Sequence, residues 1–409
     1  MMRFILFLIA LGSFSIGFSQ QLLPIQHDTN TYNHEFIING VADYGATSIQ
    51  NALSSKFLYG GAITNDIKDN SFAKHKSINR FGIDLSSELE YRNMKVNLFG
   101  KEKYGFIIKA GYYSYTSSLY SKDLFGLAFY GNENYLDQNV NFSGTRFSSM
   151  SFQKIGFGVI DKKTKSNVTL NFYAISNYAE GNVREGKLFQ SANGDSVSLT
   201  FDGEFQYASK NTFVKGYGVG VDLDFRIPVI IKDGKTSYIQ FLAKNLGVAS
   251  INSNVTRYAA DTVITFDGFT FNQLVGDATI FNSTSSILDT LGIDSTAISS
   301  VRFLPGFIQI GKIVDAMCTS KVQSFFGVRI YPSVSYVPMI YAGVHFKTTK
   351  WLDLGTNISY GGYTTLRLGL YSQLTFEKFT LGISSEDIVG IVSKTGKGQS
   401  FILRLRLKI

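Results

Sequence analysis

The last nine residues of the chain carry the pattern that most restricts its fold. Phe401, Leu403, Leu405, Leu407 and Ile409 alternate with Ile402, Arg404, Arg406 and Lys408. A period of two marks a β-strand whose two faces meet different surroundings, because successive side chains point to opposite sides of a sheet. The pattern also runs through Phe81 to Tyr91. There Phe81, Ile83, Leu85, Leu89 and Tyr91 share one face, and Asp84, Ser86, Glu88 and Glu90 share the other. It returns from Phe213 to Phe225, where Phe213, Tyr217, Val219, Val221, Leu223 and Phe225 oppose Val214, Gly216, Gly218, Gly220, Asp222 and Asp224. Further strands are predicted near 104–116, 152–160, 168–178, 196–207, 237–246, 254–266, 306–313, 322–331, 339–347, 351–360, 364–374 and 377–384. Glu35 to Tyr44 reads as a short strand and Thr64 to Lys76 as a polar, turn-like stretch. Residues 272–300 break the alternation as a long loop in which Ser283 to Leu291 forms a short helix. The chain has no exact internal repeat, which argues against a propeller or solenoid.

Alternation suits either a soluble sandwich, with its apolar face as core, or a membrane barrel, with its apolar face on lipid and its polar face in the lumen. Four features favour the barrel. Several strands run well past the roughly 5–6 residues usual in soluble sheets. The polar face is rich in Gly, Ser and isolated charges of both signs. Aromatics such as Tyr91, Tyr104, Tyr112, Phe213 and Phe225 are placed near strand ends, where membrane girdles occur. The chain also stops inside a strand, at Ile409, much as barrels read by outer-membrane assembly machinery do, although an aromatic is the commoner last residue. Composition agrees: 35 Phe, 23 Tyr and 39 Gly stand beside only 17% charged residues. Such a chain has too much apolar surface for disorder.

The first residues point to export. Arg3 precedes an apolar run from Phe4 to Phe18, and Gly17 and Ser19 occupy the −3 and −1 positions of a signal-peptidase site. Cleavage there makes Gln20 the first mature residue, with no cysteine for a lipid anchor. The expected organisation is a signal peptide over 1–19, an N-terminal segment over 20–76 holding a lumen plug and the first strand, and a barrel over 77–409. Roughly 12 to 16 strands, an even number centred on fourteen, fit that length.

Several stretches resemble a family of uncharacterised outer-membrane barrels from Bacteroidota related to FadL-type long-chain fatty-acid transporters. They are KDLFGLAFYGN (Lys122–Asn132), SFQKIGFGV (Ser151–Val159), AKNLG (Ala243–Gly247), FDGFTF (Phe266–Phe271), LPGFIQIGK (Leu304–Lys312) and SSEDIVG (Ser384–Gly390). The resemblance implies an all-β, antiparallel, FadL-like transmembrane β-barrel. It also departs from the FadL pattern: the Asn-Pro-Ala motif of the plug has only Gln50-Asn51-Ala52 as its counterpart, so no ligand-binding residue transfers.

Enzymatic signals are weak. His27, His34, His75 and His345 have no metal-ligand spacing, and a single cysteine, Cys318, excludes a disulfide framework or a multi-thiolate zinc site. Asp66, Asp69 and His75 read as a solvated loop rather than a metal cluster. His345 is expected in the lumen, in a hydrogen-bond network, without catalytic partners. Gly216, Gly218 and Gly220 follow strand spacing with no helix after them, so they relieve crowding in the barrel rather than cradle phosphate. Arg404, Arg406 and Lys408 are expected to form a lumen ladder paired with acids such as Asp84, Glu88 and Glu90, because enclosed charges need partners. The alternative is attraction for anionic ligands or lipid A phosphates. Lys215 lies in an apolar row, where a mid-bilayer charge costs about 2–4 kcal/mol, so it is placed at an interface.

These expectations describe a non-enzymatic barrel, without catalytic residues, metal or cofactor, that contacts outer-membrane lipid and lipopolysaccharide and binds or passes small hydrophobic, fatty-acid-like molecules. The competing reading is a structural or accessory barrel of a surface secretion or attachment complex with protein partners. A lipid-modifying enzyme built around His345 is the third. Nucleic acid is not expected for an exported chain.

Overall fold

The computed structural model describes residues 26–28, 32–193, 195–209, 212–230, 236–266 and 293–409. The expected signal peptide, the helix over Ser283–Leu291 and FDGFTF beyond Phe266 lie outside the described residues.

Among the described residues one sheet holds 18 strands. In chain order they are β1 (Gln26–His27), β2 (His34–Ala46), β3 (Ile78–Asn93), β4 (Tyr104–Ser121), β5 (Asn139–Asn141), β6 (Arg146–Asp161), β7 (Asn167–Gln190), β8 (Val197–Ala208) and β9 (Gly216–Ile230). There follow β10 (Thr236–Phe266), β11 (Asp294–Phe303), β12 (Phe307–Asp315), β13 (Val322–Ile330), β14 (Val337–Lys347), β15 (Leu352–Gly362), β16 (Leu366–Thr375), β17 (Phe379–Ser385) and β18 (Gly398–Lys408).

Antiparallel pairing passes from β2 through β3, β4, β6, β7, β9, β10 and β12. It then runs through β13 to β18 and returns to β2, closing a ring of fourteen strands. The seam is sealed to the last residue, since His34 and Ile409 exchange backbone hydrogen bonds of 2.9 Å each way. Closure leaves no free edge in the ring, which is the condition for strands to cross lipid.

The alternation read in the sequence is the alternation of the wall. Phe36, Ile38, Leu89, Ile340, Leu368 and Leu370 are exposed on the outside, whereas Glu35, Asp84, Glu88, Lys154 and Asp222 are buried within. In water such an apolar belt would be an aggregation surface; in a bilayer it is the solvated face.

Short connections lie at the end that carries His34 and Ile409, and longer ones lie at the opposite end. At the long-loop end β7 and β10 outrun the ring. Ala179–Gln190 of β7 and Val255–Phe266 of β10 both pair with β8, and β11 pairs with β10. The two strands expected over 237–246 and 254–266 are therefore one, β10. The end of the expected 272–300 loop is strand, because β11 begins at Asp294. Tyr112, expected near a strand end, sits in the middle of β4.

At the β9–β10 seam Gly218 and Gly220 face inward. A Cβ there would meet the β10 carbonyl oxygens of Val248 at 2.7 Å and Leu246 at 2.5 Å. The crowding they relieve is backbone against backbone, beside a bulge between Ala243 and Leu246.

Three helices cap strands β2–β4: α1 (Asn51–Tyr59), α2 (Asn65–Phe72) and α3 (Lys122–Tyr130). A fourth, α4 (Ile388–Val392), lies in the last long loop. The Thr64–Lys76 stretch expected as a turn is thus mainly α2. Its alternation is absent and its apolar residues Ile67 and Phe72 pack under the cap.

Candidate functional site

The inward rows meet in a network of ion pairs. Lys154 Nζ bonds Glu88 at 2.7 Å and Asp222 at 2.9 Å, and Lys244 reaches the other Glu88 oxygen at 2.8 Å. The second Asp222 oxygen accepts from Asn171 Nδ2 and from the Asn245 backbone N–H, both at 2.8 Å. Tyr113 donates to Glu88. Arg92 holds Glu90 and, at 3.4 Å, Glu35. Each buried charge here has several partners, as a low-dielectric interior requires.

The terminal ladder is in the lumen as expected, with a different set of partners. Arg406 pairs with Glu35 at 2.8 Å and Asp28 at 3.4 Å, and Lys408 pairs with Asp28 at 3.4 Å. Arg404 donates to Asn39 Oδ1 at 2.8 Å. Asp84, Glu88 and Glu90 bond other groups because β3 lies two strands away from β18, beyond β2. Asp28, in the segment before the first wall strand, takes the place expected of them.

Above this network lies an aromatic layer. Tyr113, Tyr115 and Phe152 stack with centroids 5.3 to 6.4 Å apart, and Tyr331 joins Tyr115, Phe307 and Tyr336. Nearer the long loops, Arg367 binds Asp43 at 2.7 Å and the Tyr44 carbonyl at 3.0 Å. Asp387, also beside Arg367, is held above the ordinary carboxylate range by burial.

An apolar cavity lies outside the lumen. Ala42, Tyr44, Ile83 and Leu85 belong to the lipid-facing rows of β2 and β3. With Phe57 and Leu58 of α1 and Leu124, Phe125 and Phe129 of α3 they line a groove of about 690 Å³. Local sequence builds its walls. Ser121 accepts from the Leu124 N–H at 3.0 Å as the N-cap of α3, Asp123 sits in the first turn, and Gly131 ends the helix at φ 76°. The first N–H groups of α1, from Asn51 and Ala52, donate to Gly396 and Lys394 carbonyls at 2.7 and 2.9 Å. That loop does for α1 what a capping side chain does elsewhere. The Gln50-Asn51-Ala52 stretch, read as the counterpart of a plug motif, is therefore the start of a cap helix.

His75 belongs to this cap and is buried, contrary to the expected solvated loop. Its Nδ1 lies 2.8 Å from the Ser71 carbonyl and its Nε2 3.1 Å from the Tyr120 hydroxyl, with the Phe125 ring 4.0 Å away. Burial lowers its pKa to about 4. Asp69 accepts from the Tyr130 hydroxyl at 2.7 Å, tying α2 to α3. Among the described residues no group of three His, Cys, Asp or Glu is arranged to hold a metal ion.

His345 faces the lumen within a hydrogen-bond network. Its Nδ1 is 2.8 Å from the Tyr371 hydroxyl and its Nε2 3.8 Å from Asp353. A hydroxyl and a carboxylate do flank it, but the hydroxyl is a buried phenol and, among the described residues, no serine or threonine bonds the ring. Lys215 immediately precedes β9 and donates to the Ala208 carbonyl at 3.0 Å, at the edge of the ring rather than its middle. Cys318 lies in the turn after β12 as a free thiol.

A closed antiparallel ring with an apolar outside and a charged inside is a transmembrane β-barrel of the outer-membrane type. The chain belongs to a family of unknown function, DUF5723, whose model matches residues 36–386. Among solved structures, the toluene transporter TodX of P. putida is similar at 10% identity and a TM-score of 0.41, over 93% of this chain and 91% of that one. The transport unit of the autotransporter AIDA-I from Escherichia coli aligns at 6% identity and a TM-score of 0.25, over 95% of this chain and 94% of that one. Comparison with curated proteins finds no match.

The groove was only partly legible beforehand. KDLFGLAFYGN stood out as a motif, and its run of apolar residues was the available signal. Nothing local indicated that α1 would join it, because Asn51 meets the site through the last loop and Phe57 through the Phe129 ring of α3, 6.1 Å away.

Proposed function

We propose that the protein is an outer-membrane barrel that binds a small hydrophobic molecule with a fatty-acid-like chain in the groove between α1, α3 and the outer face of β2–β3. The groove itself carries this reading. Its volume of about 690 Å³ falls within the roughly 300–1,000 Å³ usual for small-molecule sites. The occupied lumen favours binding at the rim over a standing pore, so the earlier expectation of passage through the barrel requires the aromatic layer to move. Longer loops conventionally face the exterior in such barrels, which places the groove at the outer leaflet.

The test is titration of a dansyl-labelled fatty acid into the protein in nanodiscs. Ala128→Trp, which fills the groove, is expected to weaken binding at least tenfold. Unchanged affinity in a folded Ala128→Trp protein would overturn the reading.

A second reading, an accessory barrel of a surface secretion or attachment complex, draws on Phe57, Leu58 and Tyr59. They are 63%, 55% and 74% exposed in succession at the end of α1. A stoichiometric co-purifying protein that is lost in Phe57→Asp would favour it.

A further inference from the structure

The short-turn end of the lumen holds a second cavity, of about 490 Å³, opposite in character to the groove. Ten arginines and lysines line it against six aspartates and glutamates, and Glu35 and Asp222 behind the lining raise the carboxylates around them to eight. Most of those cations are spent on ion pairs with Asp28, Glu35, Glu88, Glu90, Asp222 or Asp224. Among the described residues four have no carboxylate at ion-pair distance: Lys165, Arg404, Lys347 and Lys350. Arg404 donates from Nε to Asn39, and Lys347 donates to the Ala316 and Cys318 carbonyls at 2.8 and 3.1 Å.

Lys165 is the telling one. It sits in the turn between β6 and β7 with a positive φ of 60°, and its side chain folds into the cavity. It is 1% exposed, and among the described residues its ammonium has the Met94 thioether, at 4.0 Å, as its hydrogen-bond acceptor. Burying a lysine against sulfur costs free energy, which the attraction of Glu35 and Asp28 offsets only in part. Burial lowers its pKa to about 8, so it still carries its proton at neutral pH. A cavity with surplus positive charge and a buried ammonium only partly compensated by Glu35 and Asp28 favours an anion.

We propose that this cavity binds a small, soluble phosphate-bearing solute from the short-turn side of the membrane, with Lys165 and Arg404 as its principal contacts. A phosphate group offers enough acceptor oxygens to engage both an ammonium and a guanidinium at once. The remaining volume admits an organic substituent. The site is independent of the hydrophobic groove, which lies at the other end and on the other side of the wall.

The experiment is calorimetric titration of pyrophosphate into the full chain in a neutral detergent, with sodium chloride at matched ionic strength as control. A saturable site is expected whose affinity falls at least tenfold in Lys165→Gln and is largely retained in Lys165→Arg. If Lys165→Gln does not fold, Arg404→Gln decides by the same tenfold criterion. The proposal is overturned by no saturable heat, by equal displacement with chloride, or by unaltered affinity in a folded variant. It is also overturned if only short-chain phosphatidic acid binds, since the phosphate would then come from lipid.

Discussion

The Tyr331 hydroxyl donates to Asp84 Oδ2 at 2.9 Å, joining the end of β13 to β3 on the opposite side of the fourteen-strand ring. Seven strand-to-strand steps separate β3 from β13 in either direction, so this bond crosses the lumen rather than following the wall. The Tyr115–Phe152–Tyr331 layer surrounds it, and the ion network lies beside it. The barrel is therefore closed by its own side chains.

That closure predicts low conductance. In planar bilayers the wild-type protein should show no stable open level. The double variant Phe152→Ala/Tyr331→Ala should give discrete ohmic steps, because it removes two rings and the crossing bond together. Wild-type openings comparable to a general porin would contradict the arrangement.

The charge network should be costly to break from one side. Lys154→Met leaves Glu88 and Asp222 facing each other in a buried site, and destabilisation of about 3–5 kcal/mol is expected. Urea unfolding in detergent, followed by the heat-modifiable shift on gels, measures it. Adding Glu88→Leu should recover part of the loss, since Lys109 still serves Asp222 at 3.5 Å.

Asn51 fastens the cap to the last loop. Its Nδ2 donates to the Gly390 and Gly398 carbonyls at 2.7 and 2.9 Å. Asn51→Ala removes the shared donor and should cost about 1–3 kcal/mol, the usual penalty for orphaned buried acceptors. The expected readout is faster limited proteolysis between α1 and α2 while the barrel keeps its heat-modifiable mobility. Binding in the groove should weaken with it, because Phe57 and Leu58 ride on the same helix.

The cap should also loosen in acid. His75 is held at a pKa of about 4 by burial, with Lys122 and Lys397 adding to the lowering and the Ser71 carbonyl opposing it. The unfolded side chain titrates near 6.5 and so takes up its proton first. Stability supplied by the neutral ring is therefore complete above about pH 6.5 and is lost progressively as pH falls towards 4. The effect is on the order of 2 kcal/mol after allowance for partial solvent access. Hydrogen exchange of residues 65–76 should accelerate between pH 7 and pH 5, and His75→Phe should abolish the dependence.

Much of this architecture was legible in advance, for a local reason. Strand alternation is written residue by residue, so Phe81–Tyr91 and Phe401–Ile409 announced their two faces. An all-β closed barrel and a count near fourteen followed from strand length and chain length. Helices α1 and α2 were not seen. Only Ile67 and Phe72 are apolar in α2, and each helix owes its place to distant groups: the Gly396 and Gly390 carbonyls for α1, the Tyr130 hydroxyl for α2. The union of 237–246 with 254–266 was missed because a second irregularity of β10, between Ile251 and Val255, interrupts the period of two.

The sequence alone determined which side chains face lipid and which face inward, since pleating sorts odd from even residues without reference to any partner. It also determined that inward charges must be compensated. Which charge meets which was decided only by tertiary structure. Asp28 with Lys408, Tyr331 with Asp84 and Lys165 with no carboxylate at ion-pair distance are all set by ring closure. Closure juxtaposes strands that are far apart in the chain, at heights fixed by register and shear, quantities that no short window of sequence contains.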